Sequence, residues 1–264
     1  MQAGSILALL EAGIEPDLLV GTSVGALNSA FLASRPGVSG ARSLVDAWSA
    51  LRRPEAFQLS LIVALAGFLG FRDHLISDQQ LRRLIGRWVE IDRIEDADIP
   101  FAVTTTDALT GDGVVLSSGV VVDSLAASCA IPGLFPPVRI GDRCLVDGSL
   151  SANQPVLQAL ELGADDVYVI TTATEARQRP PRGAIALAMN SVSLVTSRVA
   201  REHVAQASAL AATRGGHVFL VPSSEPRAPT PFNFRRSAEL ASAAHTRTTS
   251  WLIEAEPSDA GSPR

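Results

Sequence analysis

The sequence predicts an α/β fold, a mostly parallel sheet covered by helices on both faces. Short apolar runs of strand length alternate with helix-length segments along the chain, the pattern that builds such a sheet. At 264 residues and 47% hydrophobic, the chain has enough apolar material for one sizeable core. Third, Gly21-Thr22-Ser23-Val24-Gly25 lies between an apolar run and a small-residue helix. A serine bracketed by glycines at a strand-to-helix junction is the pattern of a nucleophile elbow.

Taken in order, residues 2–12 have the composition of a helix, and Gly13 is placed as its C-terminal stop. Glu15-Pro16 turns the chain into a strand at 17–20, the elbow follows, and a helix runs to about Ala33. Arg35-Pro36-Gly37 breaks it. A helix near 40–52 leads into the apolar stretch 56–71, and Ser77-Asp78 caps a helix through Val89. Residues 99–105 read as a buried strand, 110–113 as a turn and 114–117 as a further strand. A helix at 123–129 is stopped by Ile131-Pro132-Gly133, and 144–146 forms a short strand ending in Asp147-Gly148-Ser149. A helix at 154–162, a strand at 167–171, an arginine- and proline-rich loop at 175–183 and a long helix at 184–213 follow. Residues 217–221 are the last strand and 237–253 the last helix, with 257–264 a frayed tail. The expectation is a single domain over residues 1–256 with no internal repeat.

Composition excludes several chemistries. The net charge is −5 and the pI near 5.4, which argues against a nucleic-acid footprint. All 22 basic residues are arginine, so a Schiff-base lysine, a phosphate-loop lysine and a Ser-Lys dyad are absent. Two cysteines, Cys129 and Cys144, are too few for a disulfide framework and read as buried thiols in a reducing compartment. No His/Cys/Glu cluster stands at metal-ligand spacing, and no cofactor is expected. The first residues lack the basic-then-apolar pattern of a leader. The stretch 56–71 falls short of the roughly 18–20 residues of a membrane span. A cytoplasmic protein is expected, with peripheral contact at a membrane surface and no transmembrane segment.

At the elbow, a Cβ on Gly21 or Gly25 is expected to collide with neighbouring backbone, and the turn sets the Ser23 hydroxyl at a helix N-terminus. A serine hydroxyl needs a base. Of the four histidines, His74, His203 and His245 read as solvated or structural, whereas His217 opens a late strand. Ser23, Asp147 and His217 stand in the chain order of an α/β-hydrolase triad. Only one strand precedes this serine, however, where an α/β-hydrolase elbow follows several. Asp147 is the stronger base candidate: a strand delivers it, Gly148 permits a sharp exit, and partial burial makes a carboxylate a better base. Both residues are expected at the carboxyl ends of parallel strands, facing one crevice.

Residues 15–28, with Gly21-Thr22-Ser23-Val24-Gly25 at their centre, resemble the nucleophile region of bacterial patatin-like phospholipases. Ala127-Ser128-Cys129-Ala130-Ile131-Pro132-Gly133-Leu134-Phe135-Pro136-Pro137 resembles their central segment, and Leu145-Val146-Asp147-Gly148-Ser149, followed by Asn153-Gln154-Pro155-Val156, their aspartate motif. The likeness runs from residue 2 to about 253. It implies a three-layer α/β/α sandwich, a Ser23–Asp147 dyad without histidine, and hydrolysis of lipid acyl esters through an acyl-enzyme. Val24 N–H then donates to the oxyanion. Ser149 stands where the family has glycine or alanine. Family members also carry a strand and a glycine-rich, oxyanion-binding loop just before the first helix, which this sequence lacks. Two expectations follow: the chain is N-terminally truncated, or it is a weak or inactive acyl-binding relative. Loss of the strand is expected to leave a neighbouring strand unpaired. The same dyad would also serve an acyltransferase or thioesterase. The stretch 57–71 is read either as a core helix or as a lid over an acyl chain.

Overall fold

The longest strand sets the frame. In the computed structural model, which describes residues 1–51, 74–171, 183–222 and 234–255, that strand is β2 (Phe101–Asp107). Its residues 101–106 are all buried, so both faces are covered, as in an α/β sheet. On one edge, β3 (Gly113–Leu116) runs antiparallel to it from Val103↔Leu116 to Thr106↔Gly113.

The other edge is shared by two strands. β1 (Leu19–Thr22) pairs parallel with residues 101–104, ending at Thr22↔Thr104. β5 (Arg143–Asp147) pairs antiparallel with residues 105–107, ending at Thr105↔Asp147. Because both registers exclude the edge that β3 occupies, β1 and β5 approach each other tip to tip. β4 (Val138–Ile140) completes this sheet through a two-residue hairpin to β5. β6 (Val167–Ile170) and β7 (Val218–Val221) pair parallel in a second, two-stranded sheet.

Helices lie on both faces, as expected. Phe101 and Val103 face a core built with α2 (Val24–Ala33), α4 (Gln79–Trp88) and α5 (Val121–Ser128). On the opposite face, Thr106 reaches α6 (Ser149–Ala152) through Ser151, their hydroxyls 2.9 Å apart. α7 (Val156–Glu161) and α8 (Ala184–Thr213) bury Val156, Leu160, Val204 and Ala207 against Val169 of β6. α1 (Gln2–Glu11) packs against α3 (Gly37–Ala50) and α9 (Ser237–Ala255). Gly13 ends α1 as expected: at φ +80° it lets its own N–H reach Leu10 O and that of Ile14 reach Leu9 O.

Several expectations need correction. The parallel arrangement holds for β1–β2 and β6–β7, whereas β3, β4 and β5 run antiparallel to their neighbours. β1 lies at Leu19–Thr22 rather than 17–20, because its ladder with β2 continues up to the elbow. β4 was not foreseen. The helix expected at 154–162 is present as Val156–Glu161, starting after Pro155, and a separate short helix before it, Ser149–Ala152, was not foreseen. Gly25 is not sterically required. A Cβ there would meet only Gln2 Nε2, at 3.8 Å, whereas one on Gly21 would lie 2.5 Å from Ala26 N and Cα. The turn closes by bringing the strand's Gly21 onto the 25–26 peptide, while Gly25 faces outward from the turn.

The edge of β1 away from β2 lines a cavity of about 490 Å³ shared with β6. Among the described residues no strand pairs with β1 there. The apolar stretch 57–71 and the tail 257–264 lie outside the described residues, as does nearly all of the loop 175–183.

The two glycines should therefore separate experimentally. Gly21→Ala is expected to lose about 1–3 kcal/mol through overpacking. Gly25→Ala is expected to melt at or slightly above the parent, since alanine favours a helix. Thermal melts of both variants check this, and equal losses would contradict it.

Candidate active site

Ser23 begins where β1 stops. Its backbone sits at φ 54° and ψ −122°, and it is the one non-glycine residue with positive φ among the described residues. Such a conformation costs about 1–3 kcal/mol and persists only where the surroundings impose it. Ser23 also caps α2, without a side-chain hydrogen bond to the helix. The first N–H groups of α2, that of Val24 among them, have no carbonyl to pair with inside the helix. Val24 is 48% exposed, so this end of the site opens outward.

Asp147 is the last residue of β5 and only 2% exposed. The Ser23 hydroxyl donates to its Oδ2 at 2.8 Å, and the Ser149 N–H donates to its Oδ1 at 2.8 Å. Burial pushes its pKa above the usual carboxylate range, and the hydrogen bonds from Ser149 and Ser23 offset only part of that. Its main chain is held at both ends. The N–H donates to Ala130 O at 3.0 Å, and the carbonyl accepts from the Thr106 hydroxyl at 3.0 Å. Gly148 then leaves β5 hard against β2, where a Cβ would stand 2.3 Å from Thr104 O. Only glycine fits.

Sequence reasoning brought these two residues together for the wrong reason. Were β1 and β5 parallel neighbours, a shared carboxyl end would have joined them. They are instead opposed, and they meet because both ladders stop at adjacent β2 residues, Thr104 and Thr105. Gly21 and Val24 lie within two residues of Ser23 and Gly148 directly follows Asp147; Gly25 sits one step along α2 and faces Gln2.

The histidines stand elsewhere. His217 Nδ1 lies 3.0 Å from Asp166 Oδ1, and His245 Nε2 lies 2.7 Å from Glu11 Oε2, both exposed pairs. His203 Nδ1 is buried without a hydrogen-bond partner.

Two groups beside the serine carried no role in the sequence reading. Cys129 is buried next to it; burial, then the Asp147 charge, pushes its thiol pKa up, so it stays protonated. A thiol in that state is a packing group rather than a nucleophile. Ser128, wholly buried, accepts the Ser23 N–H on its Oγ at 2.8 Å. Its only signal in the sequence was a place in the Ala127–Pro137 segment, where one small hydroxyl sits among apolar neighbours.

Behind the site, the Thr22 and Thr104 hydroxyls hydrogen bond to each other. Thr22 also donates to Ala152 O at 2.7 Å, which ties β1, β2 and α6 into one frame. Among the described residues, no group of three or more His, Cys, Asp or Glu side chains is placed to hold a metal ion. No helix in them is long and apolar enough to cross a membrane.

A family model described as patatin-like phospholipase matches residues 1–160. An uncharacterized NTE family protein of Mycobacterium tuberculosis is 33% identical over 153 residues, covering 56% of this chain and 24% of that protein. Lysophospholipase nte1 of Aspergillus terreus is 30% identical over 173 residues, covering 64% of this chain and 11% of that protein. Lysophospholipase NTE1 of Mycosarcoma maydis is 28% identical over 167 residues, covering 63% and 9% respectively. The chain thus spans less than a quarter of the length of each of these relatives.

The buried carboxylate has a measurable consequence for stability. Its folded pKa lies above the unfolded value near 3.9. The stability it contributes is therefore full below that unfolded value and is lost as pH rises through the folded one. Asp147→Asn keeps the shape and an acceptor for Ser149 N–H but carries no charge. It is expected to melt about 2–4 °C above the parent at neutral pH, the size of ~1 kcal/mol in a chain this long. The difference should vanish at about pH 3.5, below the unfolded value. A variant that melts below the parent at neutral pH would contradict this.

Proposed function

The chain belongs to the patatin-like phospholipase family, and we propose that it is a serine hydrolase of lipid acyl esters working through Ser23 and Asp147. The observation that carries this reading is the 2.8 Å hydrogen bond from the Ser23 hydroxyl to the buried Asp147 carboxylate, made from a strained elbow. The lysophospholipase names of two relatives support lipid as the substrate class.

In the proposed mechanism Ser23 Oγ attacks the ester carbonyl carbon as its proton passes to Asp147 Oδ2. The carbonyl oxygen becomes an oxyanion beside Val24 N–H, at the positive end of α2. Collapse of the tetrahedral intermediate breaks the ester C–O bond, and the departing alcohol takes the proton from Asp147. Water then attacks the acyl-enzyme, giving its proton to the same carboxylate, and the fatty acid leaves as Ser23 regains its hydrogen.

Each group in the site suits one of these steps. A desolvated carboxylate is a stronger base than one in water, and the direct contact leaves no place for an intervening imidazole. Ser23 is only partly buried and its neighbour Val24 is exposed, so an ester has a route to the hydroxyl. Exposed apolar side chains at Val24 and Leu150 suit a substrate with a hydrocarbon tail. Contact with a membrane surface follows from that substrate as part of the same proposal.

The test is covalent labelling with a fluorophosphonate. The parent protein is expected to label at Ser23, and Ser23→Ala to lose the label. Asp147 must be ionised to accept a proton. The labelling rate should therefore climb with pH through the raised Asp147 pKa, placing the acid limb above the ordinary carboxylate value of about 3.9. Folded parent protein that takes no label, or a label that survives Ser23→Ala, would overturn the assignment.

A further inference from the structure

We propose that Ser128 is a positioning residue for the nucleophile: its hydroxyl is a one-atom insert in the β1–β2 ladder that ends the strand and aims Ser23 at Asp147. This rests on the reading of Ser23 as the nucleophile.

The ladder itself locates the insert. In a parallel pair, every second N–H of one strand donates to successive alternate carbonyls of the other. Leu19 N–H donates to Pro100 O at 3.0 Å. Stepping by two residues on each strand, the N–H of Ser23 would next reach Thr104 O. It does not. Ser23 N–H donates instead to Ser128 Oγ at 2.8 Å, and the Ser128 hydroxyl donates on to Thr104 O at 2.8 Å. A hydroxyl thus stands between the two groups that an unbroken ladder would join. Both remain satisfied, while Ser23 is held one hydrogen bond further from β2 than Leu19 is.

That added distance is what the elbow needs. Continuing the direct ladder would hold Ser23 extended, with its side chain on the face set by strand alternation. The observed φ of 54° requires the peptide to leave β2 while its N–H stays paired. Serine fits this role chemically, because one small hydroxyl accepts and donates at once. Alanine in its place would strand the Ser23 N–H and the carbonyl of the buried Thr104. Ser128 touches neither a substrate nor the reacting oxygen. It works through the Ser23 main chain.

The experiment compares Ser128→Ala and Ser128→Cys with the parent, using fluorophosphonate labelling, peptide mapping of the label, hydrolysis of a p-nitrophenyl acyl ester and thermal melts. Ser128→Ala is expected to remain folded and to label still at Ser23. Its labelling rate and kcat should fall roughly 10–100-fold, the size expected of a displaced reacting group. KM should stay put, because the binding surface is untouched, and the pH midpoint should move upward, because Asp147 loses part of the Ser23 hydrogen bond that offsets its burial. Ser128→Cys, whose thiol is a weaker donor and acceptor, should fall between the two. A purely structural serine would lower the melting temperature and the labelled fraction together, with no loss of rate per folded molecule; that result overturns the proposal. So does a folded Ser128→Ala that labels Ser23 at the parental rate, which would leave the nucleophile assignment standing. If Ser128→Ala does not fold, a folded Ser128→Cys at the parental rate overturns it equally. A parent label absent or mapped away from Ser23 sinks the nucleophile reading itself, and this proposal with it.

Discussion

Two strands share one edge of β2 and run toward each other until both must stop. That constraint makes the site. β1 ends opposite Thr104 and β5 opposite Thr105, so the residue after one tip and the last residue of the other meet with no loop between them. Ser23 and Asp147, the proposed nucleophile and base, stand 124 positions apart in the chain and are thereby placed 2.8 Å apart by backbone hydrogen bonds. Secondary structure positions groups more tightly than loops do, and short-range proton transfer demands that tightness. Most of the surrounding features serve the same end. Gly21 lets the elbow close on the 25–26 peptide, and Gly148 lets β5 leave along Thr104. The threonines of β2 hold both tips through their hydroxyls.

The arrangement is costly to the fold. Ser23 sits in a backbone conformation that serine avoids, and Asp147 is desolvated enough that its charged form is disfavoured. Each is balanced locally rather than by the core at large. The Ser23 N–H keeps a partner in Ser128, and the Asp147 carboxylate keeps two donors. A buried polar group with its hydrogen bonds made is tolerable, whereas one left unpaired costs about 1–3 kcal/mol. The fully buried Ser128, Thr104, Thr105 and Thr106 form a polar seam through an otherwise apolar interior for that reason. The seam also explains why Cys129 is chemically quiet although it lies beside the serine. Burial and a neighbouring negative charge both oppose its ionisation.

Much of this was legible in the chain. The elbow, its serine and the strand-to-helix junction follow from Gly21, Ser23 and the flanking apolar pattern, because tight reversal has few chemical solutions. Asp147-Gly148 was legible on the same ground. The direction of β5 was not, since strand orientation depends on connections that local composition does not report. One local signal was there to be used: Gly141-Asp142 between Val138-Arg139-Ile140 and Arg143-Cys144-Leu145 marks a two-residue hairpin. Reading it would have recovered β4 and shown that β5 follows an antiparallel partner. Gly25 misled because a glycine in a motif was given a steric reason that belongs to Gly21 alone. Ser128 was invisible for the opposite cause. A small hydroxyl in an apolar segment has many possible partners, and only the ladder register identifies its own.

The same geometry bears on why a carboxylate alone suffices in the proposed chemistry. An intervening imidazole reaches over several ångströms and lets its acid partner sit at a distance, so a triad tolerates base and orienter on separate loops. A direct carboxylate has no such reach: it must lie within one hydrogen bond of the hydroxyl throughout the reaction. It must also be dry enough to accept a proton and still be charged beforehand. Asp147 meets these opposing needs through its place in the sheet. Strand β5 carries it into the interior, which raises its basicity, and Ser149 N–H at Oδ1 steadies its charge while Oδ2 remains for the serine. The two carboxylate oxygens thus have separate work, and the chain delivers the carboxylate and its fixed N–H donor from one three-residue segment, Asp147 from the end of β5 and Ser149 from the start of α6. On that account the lengths of β1 and β5 belong to the chemistry as much as the side chains do, since the same edge of β2 leaves no room for either strand to grow.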